Sequence, residues 1–339
     1  MTMNYITSEG IKYDMVNEIN EYEQIIRLEH TAHCFKAYEV NPSIGCDFIC
    51  RYCSMYSQEQ NESHTPIRIF NNYPNYLRDF IINYKDKHSL LFYYSAISDA
   101  FSPANIESGI TKKILEVFRE NKSKYFILTK GANIPQEIFD ILIETKDRNQ
   151  IIISFGIPDR NYEKMLEKKA PSSINRLKFA KECIQNGITV TGIVAPYLPI
   201  DETQNYAFEV FKKFNDIGIK HLCIQPLKVS DESLNRLCSL LPKYKVRLEN
   251  IFDKKHKMLK GWKLPCGKYI DRYYTNIEYL TLELQKLKNI SVELGMTIST
   301  CAEICKLTVP DFNIDAYKVG YNCAGISKKL IKEKEEILP

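Results

Sequence analysis

The sequence has no long apolar run. None of its 339 residues belongs to a stretch of about 18 consecutive apolar residues, the length that spans a bilayer. The opening residues, 1–5, also lack the basic region and following apolar run that mark a secretion signal. These two absences argue against a transmembrane helix and predict a cytoplasmic protein without membrane partners.

The chain has no low-complexity tract before its charged tail, and neither sign of charge is in strong excess. With 44% hydrophobic and 26% charged residues, its composition is that of an ordinary globular protein. The formal net charge of +4 is too small to require a polyanionic partner. One segment, 254–263, is locally basic; it either contacts phosphate or forms a solvated helix face.

Cysteine, by contrast, is plentiful, with eleven residues. A disulfide framework is disfavoured because the cytosol keeps thiols reduced, so metal or redox chemistry is favoured. One group lies near the start of the chain and a second near its end. The first comprises Cys46, Cys50 and Cys53, and the second comprises Cys266, Cys301, Cys305 and Cys323. Of the scattered remainder, Cys34, Cys183 and Cys238 are predicted to be core residues.

Strand-like segments alternate with amphipathic helices through most of the chain, which is the pattern of βα units around a parallel sheet. Six strands are predicted, at 37–44, 89–97, 124–130, 150–156, 188–197 and 219–227. Helices are predicted at 75–85, 104–120, 136–144, 172–185 and 202–215. Because eight units close a full barrel, six predict an open α/β partial barrel whose functional loops follow the carboxyl ends of the strands.

The strand pattern stops after Leu227. Two helical stretches, at about 234–260 and 271–294, then lead into the second cysteine group. The sequence therefore predicts an N-terminal extension (1–36), a partial (β/α)6 barrel (37–228) and a helical, cysteine-bearing C-terminal extension (229–339) with a candidate auxiliary metal site.

The first cysteine group lies on one loop, directly after the first predicted strand. Cys46, Cys50 and Cys53 have the spacing C-x3-C-x2-C. Such a loop can ligate three irons of a 4Fe–4S cluster and leave the fourth iron open to another ligand. A structural zinc site requires four protein ligands. The sequence-near candidates for a fourth are His33, Cys34 and His64. Chance clustering of buried cysteines is the remaining alternative, and the position at the end of a strand favours the cluster.

This loop resembles the signature of the radical S-adenosylmethionine (SAM) superfamily. The resemblance implies that the open iron binds the amino and carboxyl groups of SAM. One-electron reduction then releases methionine and a 5′-deoxyadenosyl radical that abstracts hydrogen from substrate. A small electron donor, flavodoxin or ferredoxin, is implied as a partner. Tyr52 resembles the aromatic residue that superfamily members place against adenine, although it could simply pack beneath the loop.

A narrower resemblance covers about residues 40–227. The segments that carry it occur in the order and spacing of barrel motifs in the spore photoproduct lyase (SplB-like) group. These segments are 95–103, 126–130, 153–156, 166–177 and 187–199. That group implies repair of a thymine photoproduct in DNA, which requires the lesion to be flipped out of the helix.

The same resemblance implies a SAM pocket at the strand ends. Ser98 and Asp99 occupy the position that receives the SAM amino group, although both precede a helix and could cap it instead. Lys130 and Ser154 would face the same cavity. Arg176 could pair with the SAM carboxylate as a charged donor, or be an ordinary surface arginine.

Two later strands contribute further candidates. Pro196 and Tyr197 end the fifth strand and could line the adenine or substrate side of the pocket. On the sixth strand, period-two alternation places Cys223 and Gln225 on one face, and Gln225 is nearer the strand end. Gln225 is therefore the pocket candidate of this strand.

The second cysteine group supplies four thiolates outside the barrel. Four protein ligands could hold an auxiliary 4Fe–4S cluster or a zinc ion. Alternatively, Cys301 and Cys305 are buried i, i+4 neighbours on a helix face. An auxiliary site departs from spore photoproduct lyase and puts a DNA lesion substrate in doubt. Two functions stay open, DNA lesion repair and modification of a peptide or natural product. A non-catalytic iron–sulfur or zinc protein is disfavoured by the SAM-like pocket.

Overall fold

The computed structural model describes residues 3–17, 27–28, 37–53, 67–155, 160–198, 200, 205–252, 258–263, 269–300, 325–327 and 329–331. These residues form fifteen strands and ten α-helices. The strands are β1 (Met3–Ile6), β2 (Lys12–Val16), β3 (Arg27–Leu28), β4 (Tyr38–Val40), β5 (Ser43–Ile44), β6 (Ile67–Phe70), β7 (Leu91–Tyr94), β8 (Lys124–Thr129), β9 (Asn149–Ser154), β10 (Thr189–Tyr197), β11 (His221–Pro226), β12 (Lys228–Val229), β13 (Met258–Lys263), β14 (Tyr269–Tyr274) and β15 (Thr297–Thr300). The helices are α1 (Tyr73–Asn83), α2 (Pro103–Glu107), α3 (Ile110–Glu120), α4 (Gln136–Glu144), α5 (Arg160–Leu166), α6 (Ser173–Gln185), α7 (Asn205–Asp216), α8 (Asp231–Leu240), α9 (Lys245–Ile251) and α10 (Ile277–Glu293).

The main sheet has the strand order β15-β11-β10-β9-β8-β7-β4-β3. β3 is antiparallel to β4, and the other seven strands run parallel. Six of these seven are the predicted strands, so the prediction of an α/β partial barrel is confirmed. β9 is buried along its whole length, as its continuous apolar run indicates for a strand covered on both faces.

The seventh parallel strand, β15, comes from residues that the sequence assigned to the C-terminal extension. It pairs with β11, with Thr297 opposite His221 and Thr300 opposite Ile224. Its four residues, Thr-Ile-Ser-Thr, carry a single large apolar side chain, which is why no strand is apparent in the sequence. Gly295, in the left-handed region at φ 62°, forms the turn between α10 and this strand.

Two predicted helices are shorter than the sequence suggests. The stretch predicted at 104–120 is divided into α2 and α3 because Gly109 adopts a left-handed conformation, with φ 74°. The helical stretch predicted at 234–260 ends with α9 at Ile251, and β13 then pairs with β14 in a small sheet that includes β12. Aromatic residues favour the strand conformation here, with Tyr269, Tyr273 and Tyr274 all in β14.

Alternate residues of the parallel strands face two different cores. On β8, Tyr125 and Ile127 belong to the core that the helices cover, whereas Phe126 and Leu128 face the inside of the barrel. The inner core also contains Ile326, which is fully buried although it lies in the C-terminal segment. Residues 325–327 and 329–331, called the C-terminal segment below, therefore fill part of the barrel interior.

This C-terminal segment occupies the amino-terminal end of the barrel. The carbonyl oxygen of Gly325 accepts hydrogen bonds from Gln150 Nε2 at 2.8 Å and from Thr191 Oγ1 at 2.9 Å. The backbone nitrogen of Ser327 donates to Gln150 Oε1 at 2.8 Å. Because Gln150 and Thr191 lie near the starts of β9 and β10, the carboxyl ends of the strands are left for a functional site.

A second, four-stranded sheet has the order β1-β2-β6-β5. It joins β1 and β2, from the predicted N-terminal extension, to β5 and β6 from the predicted barrel region. β5 leads directly into the loop that carries the first cysteine group. In the described part of the chain, no helix combines the length and apolar character needed to cross a bilayer.

Candidate functional site

The first cysteine group lies on loop 45–53, beyond the carboxyl end of β4. Cys50 is buried, whereas Cys46 and Cys53 are partly exposed. The turn into the loop requires Gly45, which has φ 91° and whose Cβ would lie 3.3 Å from Ile67 Cγ1. The prediction that the three cysteines share one loop at the carboxyl edge of the sheet therefore agrees with the structure.

One side of this loop is held by Asp47. Asp47 is 1% exposed, and its carboxylate accepts a hydrogen bond from the backbone nitrogen of Ala104 at 2.6 Å. Ala104 is in the first turn of α2, where the helix dipole favours a negative charge. Burial raises the pKa of Asp47, and hydrogen bonds from Ser102 and Ala104 oppose that rise. Asp47 thus ties the residue after Cys46 to the start of α2.

The other side of the loop is held by Glu167, which lies between α5 and α6. Its carboxylate accepts a hydrogen bond from the Tyr52 hydroxyl and pairs with the Arg176 guanidinium. The backbone nitrogen of Arg51 also donates to the carbonyl of Leu166 at 2.8 Å. The side chains of Glu167 and Arg176 are each 1% exposed. The loop is therefore clamped between α2 and the α5–α6 connection.

Beside Tyr52, side chains from the ends of neighbouring strands converge. Lys130, which follows β8, has its ammonium 3.0 Å from Ser154 Oγ and 5.7 Å from the centroid of the Tyr52 ring. Ser154 ends β9, and its hydroxyl donates to the carbonyl oxygen of Ala195 at 3.2 Å. The structure therefore brings together three of the predicted cofactor residues, Tyr52, Lys130 and Ser154.

Arg176 lies next to these residues, but its guanidinium is already occupied. Besides Glu167, it donates to the carbonyl of Pro171 at 2.8 Å and to the carbonyl of Ser154 at 3.1 Å. It is not a surface arginine, and every nitrogen has a protein partner. The Arg176 side chain therefore holds Glu167 in place, and among the predicted cofactor residues Lys130 is the other cation.

Asp99 connects two strand ends. Its carboxylate accepts hydrogen bonds from Thr129 Oγ1 at 2.6 Å, from the backbone nitrogen of Lys130 at 2.7 Å and from that of Phe101 at 3.0 Å. Burial raises the pKa of Asp99, and these three hydrogen bonds oppose that rise. Ser98 differs, because it is half-buried and its hydroxyl contacts the hydroxyls of Ser43 at 3.0 Å and Ser95 at 2.7 Å.

The candidates on the fifth and sixth strands separate. The Tyr197 hydroxyl donates to Glu283 of α10 at 2.7 Å, so its side chain faces the helical layer. Pro196, next to it, follows Ala195, whose carbonyl faces Lys130 and Ser154. Gln225 is half-buried at the end of β11, on the face of Cys223, which belongs to the inner core. The Tyr197 ring therefore lies in the outer core, whereas Gln225 is on the inner face of the sheet.

The thiols of the loop fit a metal cluster in their chemistry. Burial raises the pKa of the Cys50 thiol to about 12. The pKa of the partly exposed Cys46 thiol is also raised, by desolvation and by the nearby carboxylates of Asp47 and Asp99. Buried thiols become thiolates when a metal cation replaces the proton. Within the described residues, no three His, Cys, Asp or Glu side chains converge as ligands of one ion. A 4Fe–4S cluster places each thiolate on a separate iron, so its ligands are spread more widely.

The second cysteine group lies outside the described residues. Cys266, Cys301, Cys305 and Cys323 therefore keep only their predicted role as ligands of an auxiliary site. In the sequence, Cys301, Cys305 and Cys323 lie between the described residues Thr300 and Gly325. Thr300 is buried in β15, and Gly325 is bonded to β9 and β10. Of the cysteines predicted to be core residues, Cys183 and Cys238 are buried and Cys34 lies outside the described residues.

Asp47 and Glu167 have no predicted role in the sequence, although they fix the loop. One signal was available for Asp47, which directly follows a predicted ligand. For Glu167, no sequence signal shows the pairing, because Tyr52 and Glu167 are 115 residues apart. A contact between residues so far apart in the sequence can be recognised only from the folded structure.

No family model matches the chain. An uncharacterized protein of Methanocaldococcus jannaschii is 25% identical in an alignment 174 residues long, which covers 48% of this chain and 61% of that protein. The chain thus spans about three fifths of the length of this curated relative.

Solved structures of spore photoproduct lyase are similar over most of the chain. The lyase complexed with dinucleoside spore photoproduct has a TM-score of 0.58 and 16% identity, over 84% of this chain and 81% of the lyase. A single-residue mutant of the lyase with the same dinucleoside also has a TM-score of 0.58, over 86% of this chain and 88% of the lyase. The chain therefore shares the fold of spore photoproduct lyase over most of its length, and the α/β partial barrel is the fold that its sequence predicts.

Proposed function

We propose that the protein is a radical SAM enzyme in which Cys46, Cys50 and Cys53 hold a 4Fe–4S cluster. The observation that carries this proposal is the convergence of the cysteine loop with Lys130 and Ser154 at one edge of the barrel. When bound, such a cluster supplies the electron that cleaves SAM into methionine and a 5′-deoxyadenosyl radical. The cysteine-rich composition fits the cytoplasmic location proposed from the sequence.

The residues of the chain would position SAM. Lys130, a partly exposed residue, would offer its ammonium to the SAM carboxylate, with Ser154 as a neutral partner. Tyr52 presents its ring to the same space, and its hydroxyl is fixed by Glu167. Ser98 is the polar side chain available for the amino group, while Asp99 holds the end of β8 against the loop that follows β7. The barrel walls would exclude water and other quenchers of the radical.

For the reaction, the proposal is hydrogen abstraction from a nucleotide lesion, as in spore photoproduct lyase. The support is a shared fold that extends over more than four fifths of this chain and of the lyase. A lesion inside a duplex would have to be flipped out to reach the barrel mouth. The alternative substrate is a peptide or natural product, favoured by the four cysteines after position 265 if they hold an auxiliary cluster.

The radical assignment is tested by anaerobic reconstitution with iron and sulfide. Dithionite-reduced protein mixed with SAM should release 5′-deoxyadenosine, and the variant Cys50→Ala should not. As a matched control, Cys238→Ala removes a thiol from α8 and should retain the activity. Protein with an intact cluster that releases no 5′-deoxyadenosine would refute the proposal.

The auxiliary site is tested by counting iron. One cluster gives about four irons per chain and two clusters give about eight. Replacing both Cys301 and Cys305 by Ala should lower the count from about eight to about four without loss of SAM cleavage. A count of about four that this double variant does not change would remove the auxiliary cluster.

The substrate is tested with DNA. A duplex that contains the thymine spore photoproduct should bind more tightly than an undamaged duplex, with an affinity that falls as salt rises. Turnover should restore the two thymines. Equal affinity for both duplexes at low salt, without turnover, would leave the peptide or natural-product reaction as the better proposal.

A further inference from the structure

The surface beside the cysteine loop is rich in lysine, and two of its acidic residues, Glu163 and Glu167, are buried. Between positions 161 and 181, the two carboxylates are both buried. Glu163 bonds to Ser173, and Glu167 pairs with Arg176. The lysines of the same stretch are exposed or half-exposed, and they are Lys164, Lys168, Lys169, Lys178 and Lys181. From 161 to 181 the exposed side-chain charges are therefore all positive, and the first exposed carboxylate on α6 is Glu182, at the end of this stretch.

A groove lies in this surface, between α6 and the end of α7. Its volume is about 260 Å³. The groove is lined by the apolar side chains of Ile174, Leu177 and Ile217 and by three exposed lysines, Lys178, Lys181 and Lys213, which are called its rim below. Within the described residues, no ion pair involves these three lysines. Small-molecule pockets usually measure ~300–1,000 Å³, so the groove fits a single side chain of a partner better than a metabolite.

The groove is one helix away from the cysteine loop. α6 presents Ile174 and Lys178 to solvent, whereas Arg176, on its opposite face, is buried against Glu167. Glu167 in turn binds Tyr52, which lies between the ligands Cys50 and Cys53. A partner seated on the groove would therefore be close to the cluster loop without covering the barrel mouth.

We propose that this basic groove, formed by α6 and the end of α7, is the docking surface for a small acidic electron-transfer protein of the flavodoxin or ferredoxin class. The inference rests on the proposed function, because that reaction requires an external electron. In each encounter the donor is oxidised by one electron, and the centre held by Cys46, Cys50 and Cys53 is reduced by one.

The chemistry of the groove favours a protein over nucleic acid. An apolar centre with a charged rim is the usual anatomy of a protein interface. Weak electron-transfer complexes bury little surface, so a small contact is sufficient. Lysines on the rim would attract an acidic partner over distance and raise its rate of encounter.

The test compares two triple charge-reversal variants. In the groove variant, Lys178, Lys181 and Lys213 are replaced by Glu. The control variant makes the same change of charge at Lys85, Lys87 and Lys113, exposed lysines on α3 and after α1. Each protein is reconstituted and given SAM with either dithionite or a reduced, acidic flavodoxin. The binding of flavodoxin is measured separately by fluorescence anisotropy at low and high salt.

The groove variant should show a KM for flavodoxin at least ~10-fold above that of wild type at low salt, since rim charges control association. Its flavodoxin affinity should fall in parallel, and its dithionite-driven activity should equal that of wild type. Equal flavodoxin KM and affinity in the groove variant and wild type would overturn the inference. So would unchanged flavodoxin kinetics combined with lost binding of undamaged duplex DNA, which would mark a nucleic-acid surface. Wild-type protein that is inactive even with dithionite would instead refute the proposed function.

Discussion

The hydroxyl of Tyr52 donates a hydrogen bond to the carboxylate of Glu167, and the same carboxylate pairs with the guanidinium of Arg176. Burial opposes ionisation of Glu167, but the positive charges of Arg176 and Lys130, with the two hydrogen bonds, outweigh it and lower its pKa. Glu167 is therefore ionised at neutral pH. The conformation of the cysteine loop thus depends on an ion pair that lies outside the loop.

The first prediction concerns this ion pair. Glu167→Gln leaves Arg176 buried without its counter-ion, and breaking a buried pair costs about 3–5 kcal/mol. We expect the free energy of unfolding to fall by about that amount, as measured by urea denaturation. The electron paramagnetic resonance spectrum of the reduced cluster should also change, because the loop residue Tyr52 loses its charged acceptor.

Glu182→Gln is the matched control for this substitution. Glu182 is exposed on α6 and makes no ion pair among the described residues. Its replacement should alter neither the free energy of unfolding nor the spectrum. If Glu167→Gln were as stable as Glu182→Gln and had the wild-type spectrum, the ion pair of Glu167 with Arg176 would have no role in holding the cysteine loop.

The second prediction concerns Lys130. Lys130→Met removes the ammonium that lies beside Ser154 and keeps most of the side chain's apolar volume. A hydrogen bond to a charged group contributes about 1.5–3 kcal/mol, so the dissociation constant for SAM should rise at least ~10-fold. Anaerobic equilibrium dialysis measures this directly. Lys124→Met, at the opposite end of β8, is the control and should bind SAM like wild type. Equal SAM affinities of Lys130→Met and wild type would exclude Lys130 from the proposed SAM site.

Much of this architecture is readable from the sequence, since it depends on local patterns. Apolar runs such as 151–153 identify the parallel strands, and the spacing of Cys46, Cys50 and Cys53 identifies the loop. β15 could not be predicted from the sequence because its polar side chains depend on a distant partner. Thr297 and Ser299 form hydrogen bonds with His221, which precedes them by more than 70 residues.

In the candidate site, too, some residues can be placed from local sequence patterns and others cannot. Lys130 and Ser154 follow apolar strands, so their position at the barrel edge can be inferred. The role of Arg176 cannot be inferred from the sequence, because its pairing with the buried Glu167 decides whether the guanidinium is available to a ligand. The outward direction of Tyr197 likewise depends on Glu283 of α10, which comes 86 residues later.

The third prediction concerns pH. His221 is buried in the barrel interior with its ring nitrogens 2.9 Å from Thr297 Oγ1 and Ser299 Oγ. Burial lowers the pKa of His221 from 6.5 to about 4. The unfolded chain therefore binds the proton more readily than the folded protein between these values, and stability is lost as pH falls. His221 should account for about 2 kcal/mol of the loss between pH 7 and pH 5.

His221→Gln keeps hydrogen-bonding capacity but cannot titrate. Urea denaturation at pH 7 and pH 5 should give a loss of stability about 2 kcal/mol smaller for this variant than for wild type. His88→Gln, at an exposed position, is the control and should keep the wild-type dependence. Equal losses in His221→Gln and wild type would mean that His221 is not held neutral.

The fourth prediction concerns the C-terminal segment inside the barrel. Ile326 is fully buried among inner-core residues such as Phe126 and Ile193. Ile326→Ala should lower the free energy of unfolding by about 2–5 kcal/mol, through lost burial and the cavity left behind. Val292→Ala, 69% exposed on α10, should change it by less than about 0.5 kcal/mol. If both variants unfolded like wild type, the segment would not be part of the cooperative core. A loss confined to Ile326→Ala, with normal iron content, would show that the barrel interior is closed by its own C-terminal segment independently of the cysteine loop at the opposite end.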